Sequence, residues 1–173
     1  MLAYLKDNLL AGLKHSPLRA WCLSLLLLAV YAVAALLIGF TGGLFRVARL
    51  ESELVYVLPL ILFVFPSFLE EAVFRGILIP NNTCERGRAA IIKATLFSSV
   101  LFVLWHPLNA LTINPRAQAI FLDPVFLLIA FLLGISTALS YIYSRSLWVP
   151  VIIHWLSVLT WVYFLGGHNL VLT

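Results

Sequence analysis

The feature that most constrains this chain is a succession of apolar runs, each roughly 20 residues long and so able to cross a bilayer as a helix. Five can be traced, at about 18–40, 54–80, 90–108, 120–143 and 147–165. In hydrocarbon no water is present to bond backbone N–H and C=O groups, so such runs must close their hydrogen bonds internally, as helices. Composition agrees. With 63% hydrophobic and 10% charged residues, 173 residues carry too little polar surface to coat a soluble core. The expected fold is an all-α, polytopic transmembrane helix bundle in one membrane domain. The net charge of +4 comes from basic residues lying mostly between apolar runs. They are topology signals, and the expected partner is the lipid bilayer rather than nucleic acid.

The first run is too long for a signal-peptide core and no clean small-residue cleavage site follows it, so it is expected to remain as an anchor. Ahead of it, Leu2, Leu5, Leu9 and Leu13 share one helical face, as in an interfacial helix. The chain thus divides into 1–53 (interfacial segment, first anchor and loop), 54–165 (the core) and a short tail, 166–173. With the N-terminus inside, Lys6, Lys14, Arg19, Arg86, Arg88, Lys93 and Arg145 face the cytoplasm, and Arg46, Arg49 and Arg116 face out. Seven against three favours that orientation under the positive-inside bias. Cys22 and Cys84 show no metal-ligand spacing and are expected to be unpaired.

Against this apolar background, Glu70, Glu71 and Arg75 fall within six positions of the second run. Ionisable groups at membrane depth are costly and mark function by default. Glu71 and Arg75 are spaced i,i+4 with the acid first, which suits an ion pair. Glu70 points about 100° away around the helix and has no such local partner, which leaves a carboxylate for general acid–base work. A structural salt bridge orienting helices is the plainer alternative. Pro66 should kink the run just before the acids. In the third run Thr95, Ser99, Phe102 and His106 form a stripe, and Pro107 biases His106 toward a helix end. In the fifth, His154 follows Pro150 by one turn. Either histidine alone is as readily a packed interface residue as a proton carrier, with Trp105 beside His106 readable as interfacial belt. At 1.5 Å per residue, Glu70 lies roughly 15 Å from Pro80, His154 roughly 10 Å from Leu147 and His106 about 18 Å from Lys93. One shared depth is geometrically possible.

These three segments resemble the CAAX-protease and bacteriocin-processing (CPBP, or Abi) family of glutamate-dependent intramembrane endopeptidases. That family's motifs are Glu-Glu-x-x-x-Arg, Phe-x-x-x-His and His-x-x-x-Asn (or a similar small polar residue) on successive helices of a four-helix core. Here they read Glu70-Glu71-Ala72-Val73-Phe74-Arg75, Phe102-Val103-Leu104-Trp105-His106, and His154 followed at the fourth position by Val158, where the polar residue is missing. The resemblance covers roughly residues 54–162. It implies a hydrolase in which Glu70 acts with His106 on the attacking water and Glu71 with Arg75 fixes the geometry. His154 would hydrogen-bond the oxyanion, with Asn109 or Ser157 as possible helpers in place of Val158. It implies no metal and no cofactor, and a membrane-associated peptide or protein as substrate. Short loops suggest a bacterial member in the inner (plasma) membrane, for which prenylated proteins are an unexpected target.

Other readings fit less well. HExxH is absent, although two glutamates and two histidines are a possible zinc set. Gly134-Ile135-Ser136 with His154 loosely resembles a rhomboid serine protease, but Gly134-x-x-x-Ala138 reads as helix packing. Asp7 and Asp123 both lie outside the runs, which leaves an aspartyl protease unsupported. A non-catalytic scaffold or immunity-type protein of the same fold is the alternative from another class, and Val158 is the feature that speaks for it.

Overall fold

The computed structural model describes residues 18–167 together with Leu10. The interfacial helix expected from Leu2, Leu5, Leu9 and Leu13, and residues 168–173 of the tail, lie outside the described residues. Among the described residues, three helices are long and apolar enough to cross a membrane: α1 (Leu18–Thr41), α3 (Arg88–Thr112) and α5 (Pro124–Ser144). Between α1 and α3 lies α2, which runs through four successive pieces, Leu58–Leu62, Phe63–Phe68, Leu69–Glu71 and Ala72–Ile77. A short α4 (Gln118–Phe121) precedes α5, and α6 (Trp148–Phe164) closes the bundle as a 17-residue apolar helix. The chain is thus an all-α membrane bundle.

The second run is not the continuous span that its length predicts. Phe65 adopts extended angles (φ −121°, ψ 119°) immediately before Pro66, and the helix axis breaks there. The cause is local: a proline ring clashes with an α-conformation in the residue before it. On either side of the break the turns are widened, with Leu78 N–H reaching back five residues to Val73 O at 3.2 Å. Widened turns leave carbonyls to be satisfied by other groups, which in hydrocarbon is obligatory. Ser67 Oγ donates to Leu62 O at 2.8 Å, and Ser98 Oγ, from α3, donates to Phe74 O at 2.8 Å.

In the third run the expected helix end at His106-Pro107 is not found, since α3 continues through Pro107 to Thr112. Proline removes the N–H that would bond the Val103 carbonyl. The imidazole of His106 lies against that gap, with Nδ1 at 2.9 Å from Phe102 O and a backbone interaction with Val103. The hydrogen bond of the ring thus goes to the carbonyl next to the one that Pro107 leaves without its helical donor.

Helices α3 and α5 cross closely at Gly134, where a Cβ would lie 3.1 Å from Ser99 Cβ. Both α1 and α6 pack on α5, and Phe102, Leu133, Val149 and Ile153 meet in the core with Tyr31 and Ala35 of α1. Helix α6 spans both halves of α2. Trp155 Nε1 donates to Pro59 O at 2.8 Å on the first half, while His154 faces the second. At one end of the bundle, Arg46, Ala48 and Leu50 donate backbone N–H groups to Leu165, Phe164 and Tyr163. At the other end, Arg145 Nη2 pairs with Glu85 Oε1 at 2.8 Å.

Candidate active site

The break at Phe65 starts a new helical segment at Pro66 and sets the Glu70–Arg75 stretch against α3, α5 and α6. Glu71 and Arg75 are completely buried, as an apolar position would be. Arg75 Nε lies 3.0 Å from Glu71 Oε2, an ion pair rather than an aligned hydrogen bond. The guanidinium is fixed on its far side by α5. Nη2 donates to Gly134 O at 3.2 Å and to Thr137 Oγ1, whose own proton goes to Leu133 O at 2.9 Å. Its face sits over the Phe102 ring, 4.6 Å from the centroid, in cation–π contact. The pair therefore ties α2 to both α3 and α5.

His154 joins this pair. Its Nδ1 lies 2.9 Å from Glu71 Oε1, and an ionised carboxylate only accepts, so Nδ1 carries the proton and donates it. The second ring nitrogen, Nε2, then points at Glu70, 3.9 Å from Oε2. That separation is too long for a direct hydrogen bond. It is suited to one small molecule touching both atoms. Glu70 Oε2 is buried and has no hydrogen-bond partner among the described residues. The other oxygen, Oε1, accepts from Trp105 Nε1 at 3.1 Å. The two adjacent acids thus have unlike surroundings: Glu71 Oε1 accepts from His154 and its Oε2 lies 3.0 Å from the Arg75 guanidinium, whereas Glu70 is held through Oε1 by Trp105 and its Oε2 has only the 3.9 Å approach of His154.

His106 is buried on the same stripe as Thr95, Ser99 and Phe102. No direct hydrogen bond or ion pair joins it to Glu70 or Glu71. Its Nδ1 is taken by the Phe102 carbonyl, and its ring packs edge-on against Phe102, Phe121 and Phe126 at 5.0, 5.1 and 5.2 Å. Phe102 also meets His154 edge-on at 5.6 Å, so one ring contacts both histidines. Neither of the two suggested helpers is hydrogen-bonded to Glu70, Glu71 or His154 among the described residues. Ser157 Oγ donates back to Ile153 O at 2.7 Å and interacts with Tyr31 of α1, while no hydrogen bond of the Asn109 side chain is found among the described residues. Val158 is half-buried on α6.

Two contributors escaped the sequence reading. Trp105 reads as belt because tryptophan is common at interfaces, and only the crossing of α2 and α3 brings its indole to Glu70. Thr137 carries no signal beyond lying one turn from Gly134, whose small side chain was legible as packing but whose carbonyl was not legible as an acceptor. Of the rival sites, Ser136 is not hydrogen-bonded to His154 among the described residues, and Asp123 is a helix cap, its Oδ1 accepting from Val125 N and Phe126 N. Among the described residues, no three His, Cys, Asp or Glu side chains are arranged to hold a metal ion.

An apolar helix bundle that gathers two carboxylates, a guanidinium and an imidazole within it is a membrane protein built around a buried cluster of ionisable groups. The family model for type II CAAX prenyl endopeptidase Rce1-like proteins matches residues 52–160. The chain belongs to that family, and its fold is that of a CAAX-type intramembrane protease. No curated protein and no solved structure matched the chain. The matched segment contains Glu70, Glu71, Arg75, His106 and His154 and begins after α1.

Proposed function

We propose that the protein is an intramembrane endopeptidase in which Glu70 activates a water against a peptide carbonyl. The observation that supports this most is the facing of Glu70 Oε2, which has no hydrogen-bond partner among the described residues, and His154 Nε2, 3.9 Å apart inside the bundle. A water seated between them is within hydrogen-bonding reach of both. Glu70 takes a proton from that water, the hydroxide adds to the scissile carbonyl, and the proton passes from Glu70 to the leaving amine. His154, oriented through Nδ1 by Glu71, presents Nε2 to the developing oxyanion. A donor so placed contributes about 3–4 kcal/mol to such steps where one has been removed. Charge supports the same scheme: Arg75 balances Glu71, and one proton shared between Glu70 and His154 brings the buried set to neutrality. Direct help from His106 is a separate point, and His106→Gln tests it. The substrate is a peptide or protein segment at or near the membrane, and the setting a bacterial inner membrane with the N-terminus inside, supported by the charge asymmetry of the loops.

The test is to compare small membrane-associated proteins in cells lacking the chain and in cells carrying wild type or Glu70→Gln. Uncleaved species should accumulate equally in the deletion and in the Gln strain. A purified Gln variant that cleaves such a species at the wild-type rate would sink the mechanism. Activity lost to a chelator and restored by zinc would replace it with a metal-dependent one. If no species differs between deletion and wild type, the scaffold reading that Val158 favours takes its place.

A further inference from the structure

We infer that Trp105 is a positioning residue for Glu70. This rests on the acid–base role proposed above for that carboxylate. A carboxylate on a short, flexible side chain can turn either oxygen toward the same neighbour, and the 3.9 Å contact between Glu70 Oε2 and His154 Nε2 is too long to fix it. The indole Nε1 at 3.1 Å fixes Oε1, which commits Oε2 to the side facing His154 Nε2. Tryptophan suits the task because its N–H donates only and cannot remove the proton that Glu70 must exchange. The rest of the ring supplies bulk that keeps the flank of the carboxylate dry. Trp105 neighbours His106 on α3, but the two side chains go to different places, the indole to Glu70 and the imidazole to the Phe102 carbonyl. Glu71, Arg75 and His154 supply the other charges near Glu70.

The experiment uses the full chain in lipid nanodiscs, labelled with nitrogen-15 at the indoles of its five tryptophans. The signal lost in Trp105→Phe identifies Trp105. In Glu70→Gln, which keeps Trp105 in place, that signal should move further than the other four; no movement overturns the inference. In the cleavage assay Trp105→Phe should lower kcat by roughly 10- to 100-fold, the scale of a hydrogen bond to a charged group, and leave KM within about twofold. A wild-type kcat overturns the inference and leaves the protease reading standing. A folded wild-type protein that cleaves nothing defeats the protease reading instead, and the indole shift still decides the contact. Unmoved signals from the remaining tryptophans show that each variant is folded.

Discussion

Replacing Arg75 by Met should be among the most damaging single changes available in this protein. The guanidinium is fully buried, 3.0 Å from Glu71 Oε2, bonded to Gly134 O and Thr137 Oγ1 and seated on Phe102. Two unit charges at that separation attract by about 5 kcal/mol at an effective dielectric of roughly 20. Desolvation of both ions offsets much of this, so the pair as a whole contributes little net stability. Removing one partner is different, because it strands the other charge and typically costs about 3–5 kcal/mol. In Arg75→Met, Glu71 keeps only the His154 contact. The double variant Glu71→Gln/Arg75→Met removes both charges together and should recover a large part of the loss. The assay is a double-mutant cycle of unfolding free energy in mixed micelles, by denaturing-detergent titration, with Glu71→Gln as the other single. A coupling of about 2 kcal/mol or more is expected, in the range found for directly interacting pairs. Coupling near zero, or an Arg75→Met protein as stable as wild type, would refute the argument that these two buried charges depend on each other. The double variant should be stable and inactive, since His154 would lose its anionic anchor.

Two further substitutions test how the frame positions the site. In Gly134→Ala the new methyl would meet Ser99 Cβ and Cα at 3.1 and 3.2 Å, so α3 and α5 must separate by a few tenths of an ångström. A loss of about 1–3 kcal/mol is expected in the same detergent titration, with reduced activity because Gly134 O also holds Arg75. Asp123→Ala removes the acceptor of the Val125 and Phe126 N–H groups at the start of α5 and should cost about 1 kcal/mol. Amide exchange at Val125 and Phe126 should speed up first, and faster exchange confined to the far end of α5 would contradict the capping role.

The predicted architecture needed only local physics. Apolar runs of spanning length force helices, and two adjacent acids with an arginine four residues on are conspicuous in such a run because their transfer cost is large. The kink at Pro66 followed from proline sterics alone, and the match of the family model over 52–160 agrees with the motifs those residues form. Helical periodicity, however, gives faces and not neighbours. It put His106 on the buried stripe, but that its ring turns back to the Phe102 carbonyl of its own helix was set by the packing of the phenyl rings around it. It left Ser157 as a candidate helper, while the packing of α1 put Tyr31 beside that hydroxyl.

The glutamate pair shows the division most clearly. That Glu70 and Glu71 differ was legible from the 100° between them and the placement of Arg75. Which of them His154 grips through Nδ1, which it faces through Nε2, and that Trp105 holds the remaining oxygen of Glu70 were decided by the tertiary structure. These contacts join residues far apart in the chain. The short-range spacing rules that write helices into a sequence carry no information about which buried faces will meet.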